Sequence, residues 1–281
     1  KRISSLRQRC LCSAFYMNIT DNLKLGFTQY GDPEAPKLVI TPGWATDSNF
    51  LKPFVSLFPD YNVTMLDMPG YGKSADLKQF SISTRQTANL ILNSIPDNCT
   101  LISWSLSTLA ASCACYADTE KKINRFISIC GTPRFPSDPN WPGFDYRYVV
   151  KCLKLFDEGR NIRSIKLFFK MQTQGGCLTP EQNRFILEAC DKMGDIDPQV
   201  LRNGLFKMAY SDHREAFFNL RIPCFHIFGA KDRLVNQEIA SKIMDQNYHL
   251  CAVLQNSAHM PFLTEGEELS KIIRLFIKNS N

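Results

Sequence analysis

A serine hydroxyl attacks a carbonyl carbon effectively only when a base takes its proton and an acid orients that base. Three residues of this chain are placed to do so. Ser105 lies in Ser103-Trp104-Ser105-Leu106-Ser107, between an apolar run at 99–102 and a helix-like stretch at 106–116. Asp232 ends Phe228-Gly229-Ala230-Lys231-Asp232, just past a strand-like run at 222–228. His259 lies in Asn256-Ser257-Ala258-His259-Met260-Pro261-Phe262, just past another such run at 249–254. In open α/β sheets, sites form beyond the carboxyl ends of strands, and all three residues occupy such positions. Their types and chain order point to nucleophilic acyl transfer to water, with Ser105 as nucleophile, His259 as base and Asp232 as orienting acid.

Each residue also admits a plainer role. A serine between strand and helix is a good helix N-cap, and Asp232 could cap a following helix while still serving His259. The chain has four histidines. His213 falls in a helical region, while His226 and His249 fall within or at the edge of strands and read as structural, which leaves His259. A strand-to-helix elbow is usually flanked by glycines, and here Ser103 and Ser107 stand in their place. Serine is small enough for the turn, and backbone strain is expected at Ser105 itself. The oxyanion donors expected are the backbone N–H groups of Leu106 and of Trp44, which follows Pro42-Gly43 after the run at 38–41. Their side chains are then free to shape an acyl pocket. Pro69-Gly70-Tyr71-Gly72-Lys73-Ser74 superficially resembles a phosphate loop, but Asp67 stands where that pattern needs glycine, so it reads as a structural turn. No metal-ligand constellation is apparent, and acyl transfer needs neither a metal nor another cofactor.

These residues must be held by a frame. Two β-like runs, at 15–20 and 24–30, flank Asp21-Asn22 and read as a hairpin. Strand-like runs follow at 38–41, 62–66, 100–104 and 123–130, with a helix expected at 83–94. Residues 133–215 lack strand-like runs and carry amphipathic helical stretches; alternation then resumes at 222–228 and 249–254 and closes with a helix at 265–278. Strands alternating with helices predict an α/β fold, a mostly parallel central sheet with helices on both faces. The core is expected over 17–132 and 216–281, with 133–215 an inserted helical lid. Residues 1–16 are basic, lack acids and precede Met17; they read as an extension outside the fold.

A chain of 281 residues with 44% hydrophobic residues is long enough for one large α/β domain or two small ones. No window approaches the ~18–20 uninterrupted apolar residues of a membrane span. Eleven cysteines include no C-x-x-C pair, which suggests reduced, mostly buried thiols and a cytoplasmic setting. The net charge of +6 is too small to imply nucleic acid without a patch. It is uneven, however. Residues 146–170 hold seven basic residues (Arg147, Lys151, Lys154, Arg160, Arg163, Lys166, Lys170) against Asp157 and Glu158. This is either a solvated helix face or a docking surface for an acidic partner.

Asp67-x-Pro-Gly-x-Gly-x-Ser74, the Trp-Ser-Leu elbow, Gly229-x-x-Asp232 and Ala258-His259-x-Pro261-Phe262 resemble the α/β-hydrolase superfamily over essentially all of 23–278. Trp141-Pro142-Gly143 and Phe168-Phe169-Lys170-Met171-Gln172-Thr173 narrow the likeness to the pimeloyl-[acyl-carrier protein] methyl ester esterases of biotin synthesis. Trp44 after a glycine fits them too. The resemblance implies a serine esterase that removes a methyl ester from a pimeloyl chain on an acidic acyl-carrier protein. Trp44 and Phe168 would contact the acyl chain. Arg163 and Arg184 fall on basic carrier-binding positions, and Lys166 and Lys170 would stand in for two others, which are Leu167 and Pro180 here. The usual histidine before Gly43-Trp44 is Pro42. A monomer without nucleic-acid or membrane partners is expected. The other readings are a general short-chain esterase or thioesterase and a non-catalytic receptor of the same fold.

Overall fold

The computed structural model describes residues 20–244 and 246–280. Seven strands form one sheet in the order β1-β3-β2-β4-β5-β6-β7. They are β1 (Phe27–Tyr30), β2 (Lys37–Thr41), β3 (Asn62–Leu66), β4 (Cys99–Trp104), β5 (Ile123–Ile129), β6 (Cys224–Gly229) and β7 (His249–Leu254). Every pairing is parallel except β1 with β3. β3, β4 and β6 are buried along their whole length, as a sheet covered on both faces requires.

The hairpin expected at the start falls partly on residues that the structure does not describe. Residues 15–19 lie outside the described residues, and β1 pairs antiparallel with β3, Phe27 opposite Leu66 and Tyr30 opposite Val63. Alternation tells which face a short strand buries but not which strand lies beside it.

Between the strands, α1 (Thr84–Ser94) starts at Ser83, whose side chain accepts the Gln86 N–H, and α2 (Thr108–Ala117) follows a short 3₁₀ turn, Ser105–Ser107. Between β5 and β6 the chain forms α3 (Arg147–Asp157), α4 (Asn161–Thr173), α5 (Pro180–Lys192) and α6 (Pro198–Tyr210), then the short helix Arg214–Phe218. In α3 the buried residues Val149, Cys152, Leu153 and Phe156 follow the three-four spacing of one helix face. A capping box between Thr179 and Gln182 starts α5, and the Asp197 side chain accepts the Gln199 N–H at the start of α6. The chain ends with α7 (Gly266–Asn279).

The turn after β3 is built around Asp67, 1% exposed, which accepts the N–H groups of Ser48 and Lys73 at 2.7 and 2.8 Å. Ser74 Oγ donates to the Asp67 carbonyl at 2.7 Å and accepts the Gly26 N–H at 2.8 Å, tying the turn to the segment before β1. Just past β2, β4 and β5, three neighbours in the sheet, Ala45, Ser105 and Cys130 have φ of 61°, 60° and 46°. The nine described cysteines are free thiols, Cys177 alone among them being exposed. No described helix is long and apolar enough to cross a membrane.

Candidate active site

Ser105, His259 and Asp232 meet at the carboxyl edge of the sheet. Ser105 sits at the exit of β4 with a left-handed backbone, a conformation that ordinarily costs a residue with a Cβ about 1–2 kcal/mol. The turn lifts its hydroxyl to 2.7 Å from His259 Nε2. His259 Nδ1 is 2.7 Å from Asp232 Oδ2. With Nδ1–H donating to the carboxylate, Nε2 is left as acceptor for the Ser105 hydroxyl, the arrangement that base catalysis requires. The other Asp232 oxygen accepts the N–H groups of Leu234 and Val235 at 2.8 and 3.1 Å. No helix starts at Asp232, so it caps none; one of its oxygens holds the loop at Leu234 and Val235 while the other orients His259. Both side chains are 0% exposed, so their interaction is little screened by water.

The two serines in place of elbow glycines have their hydroxyls satisfied inside the turn. Ser103 Oγ lies 2.9 Å from Thr108 Oγ1. Ser107 Oγ donates to carbonyls of Thr41 and Trp104 at 3.1 and 3.0 Å and accepts from Thr41 Oγ1 at 2.9 Å. The polar groups thus replace the missing glycines without leaving a buried hydroxyl unpaired.

Leu106 is in the first turn of the helical segment after Ser105, where backbone N–H groups have no intrahelical acceptor. The loop carrying Trp44 crosses close over the elbow. A Cβ on Gly43 would lie 2.9 Å from Trp104 Cε3 and 3.2 Å from Ser105 Cβ, so only glycine permits this approach. Trp44 is fixed by its indole N–H, which donates to the Leu201 carbonyl of α6 at 2.8 Å, and by Phe168, whose ring meets it edge-on at 4.7 Å. Beside Trp44 and Leu106 opens a narrow cavity lined along α6 by Val200, Gly204 and Lys207.

Two contacts at the site had no signal in residue types or spacing. Trp104 donates its indole N–H to the His259 carbonyl at 2.8 Å and stacks on Phe50. Gln172, at the end of α4, accepts the His259 N–H on its carbonyl at 3.2 Å. The first joins the elbow to the histidine loop; the second joins that loop to the helical segment between β5 and β6. Gln172 belongs to a stretch that only the family likeness singled out.

His226 and His249 form a separate buried pair. His226 Nδ1 bonds Ser128 Oγ at 2.7 Å and its Nε2 bonds His249 Nδ1 at 2.9 Å, under the Phe217 ring. Burial holds His226 well below the usual imidazole range and lowers His249 to about 4, so both are neutral at pH 7. Cys224 joins them because β6 and β7 pair Cys224 with His249, a proximity the sequence spacing conceals. Cys130 similarly lies against Asp232 and His259. Burial and the neighbouring carboxylate push its thiol well above the ordinary cysteine range, so it does not act as a thiolate.

Arg163, Lys166 and Lys170 lie on the exposed side of α4, and Arg184 is exposed on α5. Lys166 is bound to Asp191 at 2.8 Å, Arg160 pairs with Glu158 and Arg147 with Asp145. Among the described residues, Lys151, Lys154, Arg163, Lys170 and Arg184 have no carboxylate partner. The local surplus of positive charge therefore remains, but on fewer side chains than the count of basic residues suggests.

No family model matches the chain. It is 26% identical over 246 residues to the pimeloyl-[acyl-carrier protein] methyl ester esterase of Yersinia enterocolitica, covering 87% of this chain and 94% of that one. The enzyme of that name from Methylococcus capsulatus is 26% identical over 254 residues, covering 87% and 96%. Among solved structures, a hydrolase from Oleispira antarctica superposes with a TM-score of 0.79 at 17% identity, covering 91% of this chain and 95% of that one. An esterase from Exiguobacterium antarcticum gives 0.79 at 18%, covering 90% and 95%. The chain is an esterase of the α/β-hydrolase fold that resembles, over most of its length, the pimeloyl-[acyl-carrier protein] methyl ester esterases.

Proposed function

We propose that this enzyme hydrolyses the methyl ester of a pimeloyl group carried on an acyl-carrier protein, through an acyl-enzyme on Ser105. The observation that carries the chemistry is the relay of two 2.7 Å hydrogen bonds from Ser105 through His259 to Asp232. Ser105 Oγ adds to the ester carbonyl as His259 Nε2 takes its proton. The oxyanion forms against the N–H groups of Trp44 and Leu106, where loss of one donor typically costs ~10²–10³ in rate. Collapse expels the methoxy group, which leaves as methanol with the proton held by His259. Water, deprotonated by the same nitrogen, then adds to the acyl-enzyme; its collapse returns Ser105 and releases the carboxylic acid. No cofactor takes part.

Residues 133–215 act as a lid in this reading, with Trp44 and Phe168 forming a wall of the acyl site. The exposed cations Arg163, Lys170 and Arg184, with Lys166 beside them, receive the acidic carrier. Free thiols suit a reducing cytoplasm. The test compares methyl pimeloyl-carrier protein with a small aryl ester across salt concentration. The expected result is that kcat/KM for the carrier substrate falls with salt and on Arg163→Glu with Lys170→Glu, while the aryl ester responds much less. Ser105→Ala should abolish turnover of both. Equal insensitivity of the two substrates to salt and charge reversal would leave a general short-chain esterase. Persistent hydrolysis by Ser105→Ala would overturn the mechanism.

A further inference from the structure

The cavity beside Trp44 and Leu106 has walls from Pro42, Met68, Tyr71, Leu109 and Ala110, and one cationic side chain, Lys207. Lys207 lies three residues beyond Gly204 on α6, hence on the same helix face and about 4.5 Å further along the axis. Gly204 is the residue against which Trp44 and Leu106 pack: a Cβ there would meet Trp44 Cδ1 at 2.3 Å and Leu106 Cδ2 at 3.4 Å. One turn of helix therefore separates the expected oxyanion donors from a lysine lining the same cavity.

That lysine lacks a counter-charge. No carboxylate lines the cavity, and among the described residues no ion pair or hydrogen bond engages Lys207 Nζ. Asp212, the acid nearest along the chain, is held by Arg214 and Arg134. Three hydroxyls in the wall are engaged elsewhere: Ser81 Oγ accepts from Asn203, Thr87 Oγ1 donates to the Ser83 carbonyl, and Ser107 is bound within the elbow. Burial lowers the Lys207 amine to about 8, which leaves it mostly charged at pH 7. A half-buried cation without a counter-charge favours a ligand that supplies an anion.

We propose that Lys207 makes this cavity a carboxylate subsite, so that half-esters of dicarboxylic acids bind as free acids, with the charged end at Lys207 and the ester at Ser105. Such a ligand spans the cavity with an apolar chain along Met68, Leu109 and Ala110. This rests on the Ser105 site described above, but it needs no carrier protein. It adds free half-acid esters to the substrates, and it names Lys207 as the residue that selects them over neutral esters.

The experiment measures kcat and KM for monomethyl esters of the C5 to C9 dicarboxylic acids against the dimethyl esters of the same acids. The expected result is a length in this series at which the half-ester is preferred by kcat/KM. Lys207→Met should cut that preference at least about tenfold, mainly through KM, and Lys207→Arg should restore part of it. In the wild-type enzyme, hexanoate should compete with a neutral aryl ester more strongly than hexan-1-ol does, a readout that holds even if the variants fold poorly. Preference for dimethyl esters at every length, indifference to Lys207→Met, or equal inhibition by hexanoate and hexan-1-ol would overturn the proposal. Methyl pimeloyl-carrier protein is assayed in the same preparation. Loss of carrier turnover with half-ester preference intact would refute the carrier reading alone, and the reverse outcome this inference alone.

Discussion

Replacing Gly204 by alanine probes how tightly α6 holds the loop that carries Trp44. In the interior of a helix, alanine is favoured over glycine by about 0.5–1 kcal/mol, so on propensity alone the variant should be more stable. The packing opposes this. The added Cβ would sit 2.3 Å from Trp44 Cδ1 and 2.7 Å from its Nε1. Relief needs the indole to retreat by roughly 1 Å, since ordinary carbon contacts begin near ~3.5 Å. Trp44 is 2% exposed and backed by Phe168, so it has little room. Overpacking of this kind costs about 1–3 kcal/mol, and loss of the indole bond to Leu201 about 0.5–1.5 more. The net is a destabilisation of roughly 0.5–4 kcal/mol, read as a lower thermal midpoint. Displacing the Trp44 backbone also moves an expected oxyanion donor, and an error near 1 Å there costs up to ~10²-fold. We expect kcat on a small aryl ester to fall about 10–100-fold, with active-site titration showing a full complement of Ser105. Trp44→Phe in the same chain should recover part of the lost stability, because the smaller ring leaves space. A Gly204→Ala enzyme with wild-type turnover and an unchanged or higher midpoint would refute this account of the site.

Two other outcomes follow from buried polar groups. His226 and His249 are held below the ~6.5 of an unfolded histidine, so between pH 6.5 and about 4 the unfolded chain binds more protons. Stability should be full above pH 6.5 and fall as pH drops towards 4; His213, also lowered, adds to the slope. Urea midpoints across pH 4.5–7.5 measure this, and His226→Asn with His249→Asn should flatten the dependence; an equally steep slope in that variant would disprove it. Asp67→Ala removes the acceptor for two backbone N–H groups at the turn after β3, and should cost about 2–4 kcal/mol in chemical denaturation. A loss below about 0.5 kcal/mol would mean that the turn is held by its other bonds.

Much of this was legible from residue pattern. The strand-like runs at 62–66 and 249–254 coincide with β3, buried throughout, and with β7, a partly exposed edge strand whose bounds its flanking turns mark. The post-strand positions of Ser105, Asp232 and His259 were readable for the same reason, since the frame decides which side chains reach the carboxyl edge. The partner of β1 was not, because pairing is a long-range choice that alternation does not encode. Nor were the Ser128–His226–His249 chain, the Trp104–His259 bond or the Gln172 contact, each of which joins residues far apart in sequence. Lys207 carries no sequence signal at all: its setting comes from which face of α6 meets Trp44, a fact of packing.

Ser105 and Cys130 leave β4 and β5 by left-handed turns, Ala45 takes one in the loop after the neighbouring β2, and none of them is glycine. Unfavourable backbone conformations of this kind cost about 1–3 kcal/mol each, comparable with a sizeable part of a domain's whole margin of stability. The sheet therefore works as a loaded spring clamped along one rim. Its hydrogen-bonded body holds the rim in a shape the chain would not choose locally, and any loosening of that body reaches the rim first. Partial unfolding of this protein should accordingly begin where it does its chemistry.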